Sequence, residues 1–248
     1  GDDRFLESAR RAARFVEENL YEGDRLLATY RAGRSKLKAY LDDYSFLLGA
    51  YVELFESDFD IRWLDRANRL AEALGTLFRD ESQGGFFFTG SDHEKLIVRP
   101  KTGYDGAIPS GNGMAATYLL RLAEYTGSRE QESLAISTLH AFHAQLARSP
   151  SAFAQMLASL DFYLSEKREI VLVGRRESVK TQEALTRLWR TYLPNVSIAL
   201  LEPDHDDATA IPLFEGKSAG SDPDVPRFYV CESYACKAPT ESLEEVLG

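Results

Sequence analysis

Six stretches of this chain repeat their apolar residues with a helical period, and they alternate between two kinds of helix. Residues 5–20, 41–55, 61–78, 114–125, 130–147 and 153–164 are the predicted helices. The stretch 61–78 is amphipathic: Leu64, Ala67, Ala71, Leu74 and Phe78 share one face, while Arg62, Asp65, Arg66, Arg69 and Glu72 cover the other. Such a helix asks for one apolar neighbour layer. By contrast YSFLLGAYVELF and MAATYLLRLA are apolar around most of their circumference, as helices are when packed on several sides. In chain order the kinds run outer, inner, outer, inner, outer, inner. That order predicts a mainly α fold for residues 1–165, three helical hairpins in two concentric layers, which is part of an α/α toroid.

Two inserts interrupt the helices ahead of inner ones. DRLLATYRAG follows the first outer helix, and GGFFFTGSDHEKLIVRPK, predicted as two strands around an SDHE turn, follows the second. After Ser165 the pattern changes. EIVLVG and VSIALLE are buried-strand runs on either side of the amphipathic VKTQEALTRLWRTYL, which predicts a parallel βαβ unit. RFYVCES supplies a candidate third strand and TESLEEVLG a last short helix capped at Thr240. Between these, PDHDDATAIPLFEGKSAGSDPDVP reads as surface loop. Residues 166–248 are thus expected to form a small α/β domain with a short parallel sheet.

Charge and composition narrow the function classes. A formal charge of −10 and a pI near 5.0 argue against nucleic acid as a partner, because phosphate binding needs clustered Lys and Arg. No apolar run approaches the ~20 residues of a membrane span, and residues 1–10 lack the basic start and apolar block of a signal peptide. With only Cys231 and Cys236, the chain is expected in a reducing, cytoplasmic compartment. It opens GDDRF, without methionine, which reads as a fragment or processed product.

The motifs YLDDYSFLLGAYVELFE, GGFFFTG followed by LIVRPKTGYDGAIPSGN, EIVLVG and YVCESYACKAPTESLEEV, in that order along nearly the whole chain, resemble a family of thioredoxin-domain proteins typified by spermatogenesis-associated protein 20. The resemblance implies an N-terminal thioredoxin-like domain joined to a large helical toroid of the six-hairpin glycosidase kind. This chain would then be a C-terminal portion with three of the hairpins, and the thioredoxin-like domain of the parent chain would be a partner. The resemblance implies a fold; it does not name a reaction.

By the same analogy, a ligand site lies in a funnel at the starts of inner helices, and the candidates sit there. Asp42, Asp43 and Tyr44 begin one inner helix; Tyr104, Asp105, Ser110 and Asn112 precede the next. Asp43 and Asp105 are the candidate acid–base pair acting on a sugar, with Asp42, Tyr44, Tyr104, Ser110 and Asn112 as substrate-binding groups. The competing reading is local: acids favour the first helical turn, and Ser110 or Asn112 can cap it. A sugar epimerase would call on histidines, yet His93 falls in a predicted turn, His140 and His143 on an outer helix, and His205 in the late loop. The pair His140 and His143 is an incomplete ligand set, so neither metal nor cofactor is expected. Cys231 and Cys236 read first as structural thiols and second as a disulfide or redox pair, their spacing being unlike that of thioredoxin cysteines. Two functions follow: a carbohydrate-binding or carbohydrate-active toroid piece, catalytically silent by itself, or a non-catalytic scaffold supporting the thioredoxin-like domain.

Overall fold

A computed structural model describes residues 2–203, 211–232 and 235–247. His205 lies outside them. Helix α1 (Asp3–Asn19) starts where the Asp2 side chain accepts the Arg4 backbone N–H, and it leads into a three-stranded antiparallel sheet, β1 (Tyr21–Glu22), β2 (Arg25–Arg31) and β3 (Arg34–Lys38). Ala32 and Gly33 make the two-residue turn between β2 and β3, both at positive φ (50° and 75°), as a twisted hairpin requires. The first insert thus forms an antiparallel hairpin, β2 and β3, with β1 paired along the other edge of β2.

Helix α2 (Leu41–Asp58), α3 (Arg62–Ala73), α4 (Gly111–Thr126), α5 (Arg129–Arg148) and α6 (Ala154–Leu164) complete the six helices. Their burial follows their patterning with one exception. Of α1 only Ala13 is buried, and α3 buries a single stripe of Trp63, Leu64, Ala67, Leu70 and Ala71. Helix α2, packed against both, buries residues on all sides, among them Tyr44, Leu48, Tyr51, Val52 and Phe55. The exception is α6. It buries Met156, Ser159 and Phe162, a single three-residue repeat, and leaves Leu164 71% exposed, so it is not the all-round apolar inner helix the sequence suggests. Buried Asp58 anchors the first three helices: it accepts from Arg10 Nε on α1 (2.7 Å) and from Trp63 Nε1 on α3 (3.1 Å). Helix α3 ends in a π-type turn, Leu74–Phe78.

The second insert does not form the predicted strands. Residues 79–103 run as loop, with one isolated bridge, Arg79 to Phe86. Its backbone bonds go elsewhere: Phe87 N–H donates to Phe78 O, Phe88 N–H to Pro100 O, and Arg99 reaches back to the carbonyls of Thr89 and Leu77. The apolar run Leu96 to Val98, which looks like a strand, is exposed instead, Ile97 completely.

The described residues cluster into two compact units, one of 2–123 and 128–161, the other of 124–127 and 162 onward. In the second, β4 (Arg168–Val173), α7 (Val179–Arg190), β5 (Val196–Leu201), β6 (Arg227–Glu232) and β7 (Ala235–Cys236) precede α8 (Leu243–Leu247). The sheet order is β5-β4-β6-β7; β4 and β5 are parallel, with Ile170 opposite Ile198, and β6 is antiparallel to β4. Residues Ile170 to Val173 are buried because β4 has a strand on each side, and Leu185 and Leu188 of α7 are buried with them. Thr240 does not cap α8. Its backbone bridges Phe228, and Ser242 Oγ accepts the Glu245 N–H instead.

Cys231 and Cys236 are joined in a disulfide, which corrects the reading of two structural thiols. The antiparallel return of β7 sets the two residues directly opposite each other, and nothing in a spacing of five announces that return strand. A link closing so short a loop restricts the unfolded chain by about 2 kcal/mol. Urea unfolding with and without dithiothreitol should show that loss on reduction; superimposable curves would remove the bond from the stability of this unit.

Candidate functional site

The starts of α2, α4 and α6 are tied together by the acids that sequence singles out. Asp43 Oδ2 accepts the Tyr40 N–H at 2.8 Å, the reciprocal half of a capping box on α2. Asp42 is half-buried and packs against the backbone of Gly111, the first residue of α4. Gly111 has to be glycine, since a Cβ there would stand 2.3 Å from Asp42 Oδ1. Burial pushes the Asp42 carboxyl up, the neighbouring Asp43 charge adds to this, and the Gly111 amide opposes it.

Asp105 joins two further segments. Its Oδ1 accepts from Ser110 N–H and its Oδ2 from Gln155 N–H, both at 2.8 Å, so one carboxylate caps the approaches to α4 and α6. Ser110 Oγ accepts the Gly113 N–H and donates to Gly103 O (2.9 Å), acting as the cap of α4. Asn112 is fully buried: Oδ1 accepts the Phe86 N–H (2.8 Å), and Nδ2 donates to the carbonyls of Phe86 and Thr102, both at 2.9 Å. It holds the two ends of the 84–103 segment to α4. The residues thus share a region, but Asp43 and Asp105 spend oxygens on backbone amides.

Tyr104 lies beside this junction, 60% exposed, its ring edge-on to Phe153 at 6.3 Å, lining a hollow of about 290 Å³ with Lys101, Gln145 and Arg148. Tyr44 is elsewhere. Its buried hydroxyl accepts from Arg25 Nη1 (2.8 Å) and from Leu26 N–H (3.1 Å). His140 and His143 are exposed on α5, and His143 Nδ1 turns back to the His140 carbonyl at 2.8 Å.

Tyr44 belongs to a different feature, a cleft of about 890 Å³ between α1, the β1–β2 turn, α2 and α3. Glu17 of α1 and Arg66 of α3 face each other in it, Nε to Oε1 2.7 Å, and the Arg66 guanidinium lies 4.6 Å over the Trp63 ring. The Glu17 Oε1 is buried yet accepts no well-aligned hydrogen bond. The Tyr51 phenol lies against both Glu17 and Tyr21. Burial raises all three groups, Tyr21 to about 12, Tyr51 further and Glu17 above the ordinary carboxylate range, so both phenols stay protonated donors at neutral pH. The π-type turn contributes Thr76 and Leu77 to the lining; turns of this kind recur at functional sites.

This cleft escapes sequence reading because its residues come from four elements at no fixed spacing. The available signal is weak: Arg66, Arg69 and Ala73 repeat on one side of α3, the side that reads as a solvated face.

No protein-family model matches the chain. Among curated proteins it is 28% identical to spermatogenesis-associated protein 20 of Homo sapiens over 250 residues, 96% of this chain and 32% of that protein. The Mus musculus protein of the same name is 27% identical over the same shares. An uncharacterized protein of Caenorhabditis elegans is 24% identical over 99% of this chain and 34% of its own length. The chain is homologous to these proteins and spans about a third of their length.

Proposed function

We propose that this chain is a structural module of a longer protein, its helices forming part of an α/α toroid that supports a thioredoxin-like domain elsewhere in that protein without catalysing at the helix starts. The observation behind this reading is the use of Asp43 and Asp105: both accept backbone amides, as caps do, which leaves them poorly placed as an acid–base pair. An apolar groove of about 490 Å³ between α1 and α2, lined by Phe5, Leu6, Val16, Leu47 and Leu54, is surface that a packed neighbour would cover. The test compares the full-length protein with a version lacking residues 1–248. The thioredoxin-like part should unfold at a lower temperature without this region; an unchanged melting temperature and no measurable contact between the parts would overturn the scaffold.

One observation favours a second reading, carbohydrate binding at the rim. Exposed Tyr104 and the Lys101, Gln145 and Arg148 hollow lie next to Asp105, where a ring face and polar groups meet. Sugar titration of the full-length protein and of its Tyr104→Ala variant decides it. Saturable binding lost in the variant supports it, and the same screen run for turnover with Asp105→Asn tests catalysis; turnover abolished in a normally stable Asp105→Asn protein would overturn the non-catalytic reading.

A further inference from the structure

We infer that the cleft between α1, the β1–β2 turn, α2 and α3 binds a short peptide with both termini free, its carboxylate taken by Arg69 and its ammonium by Glu22 and Asp24. The cleft, at about 890 Å³, falls inside the roughly 300–1,000 Å³ of small-molecule sites. Its size admits a di- or tripeptide.

The charges lining the cleft select the ligand. Two of its cations are already spent: Arg25 grips Asp92 through Nε at 2.9 Å and Nη2 at 3.2 Å, and Arg66 pairs with Glu17. Arg69 on α3 is exposed, lines the cleft and has no ion pair among the described residues. Opposite in the sequence of elements, the β1–β2 turn brings Glu22 and Asp24, also exposed and without an ion pair among the described residues. The free charge of the turn is wholly negative, while α3 carries the free cation, with Glu72 three residues beyond it. Ala73 and, in the π-type turn, Leu77 supply part-exposed apolar surface over the buried Leu70, and the half-buried Tyr21 supplies a phenol hydroxyl.

An anionic ligand would leave Glu22, Asp24 and Glu72 unmatched, and a purely cationic one would leave Arg69 unmatched. A neutral sugar can hydrogen-bond these side chains, but it offers no charge to pair with Arg69 or with the acids of the turn. A zwitterion with an apolar body satisfies both charges and the wall between them. Arg69 suits the carboxylate, because a guanidinium presents paired donors to two oxygens.

The experiment is calorimetric titration of the whole chain with trialanine, N-acetyl-trialanine, trialanine amide and maltose. Free trialanine is expected to bind, and blocking either terminus should weaken it about fivefold, the size of one lost charge contact of about 1 kcal/mol. Arg69→Gln should weaken trialanine about fivefold while leaving trialanine amide unchanged, and Asp24→Asn with Glu22→Gln should do the same for the acetylated peptide. All three substituted side chains are exposed, so folding is preserved, and circular dichroism confirms it. No binding of trialanine, equal binding of the blocked forms, or binding of maltose in this cleft would each overturn the assignment.

Discussion

Asn112→Ala is expected to lower the unfolding free energy by about 3 to 5 kcal/mol. The side chain is fully buried and makes three bonds to backbone groups of Phe86 and Thr102, 26 and 10 residues away. Truncation leaves one N–H and two carbonyls without that partner, and each buried unsatisfied group costs roughly 1 to 3 kcal/mol. Water refilling the gap recovers part of the sum. Asn112→Asp should cost a comparable amount for a different reason, because a carboxylate cannot donate to the two carbonyls and repels them. Urea unfolding measures both. A loss below about 1 kcal/mol for Asn112→Ala would mean that the 84–103 segment is held by other contacts.

Asp80→Ala should cost a similar amount, about 3 to 5 kcal/mol, because it strands a mostly buried ammonium. Lys101 Nζ donates to Asp80 Oδ2 (2.7 Å) and to Gly84 O (2.8 Å), with the two side chains 16% and 7% exposed. The Lys101 bond, then the Ser82 hydroxyl and the amides of Gln83 and Ser82, hold the Asp80 carboxyl far below the ordinary range. The folded protein therefore keeps this group ionised where the unfolded chain, at about 3.9, takes up a proton. Its contribution is complete above about pH 4 and is lost as pH falls towards the depressed folded value. Acid unfolding of the wild type should be steeper below pH 4 than that of Asp80→Asn, although the variant starts from lower stability. Equal acid slopes would show that Asp80 titrates normally.

How legible the protein is in its sequence depends on the range over which each signal acts. All six helices and the parallel strand pair could be read, because amphipathic and buried runs are set by neighbours a few residues away. The 79–103 loop was misread: GGFFFTG and LIVR have strand composition, but their backbone groups bond to Asn112, Arg99, Phe78 and Asp80 rather than to each other. The disulfide hid behind a return strand of two residues, too short to leave a pattern. The polar residues at the helix starts were found, yet whether an acid faces a ligand or an amide depends on where another segment's N–H lies. For Asp105 the second amide belongs to Gln155, 50 residues on. The cleft was illegible altogether, since Glu17, Tyr21, Tyr51 and Arg66 meet only after four elements have packed.

Because one carboxylate of Asp105 serves both Ser110 and Gln155, the first turns of α4 and α6 are not independent in time. Either turn can fray only by giving up a bond that the same side chain must then reorient to replace, and its own N–H is tied to Ala152 O at 2.9 Å. The two amide protons should therefore exchange with solvent through a shared opening rather than two local ones, making these distant stretches a single cooperative unit. In kinetic terms Asp105 is expected to act as a latch, and unrelated exchange rates for the Ser110 and Gln155 amides would show that the two helix starts open separately.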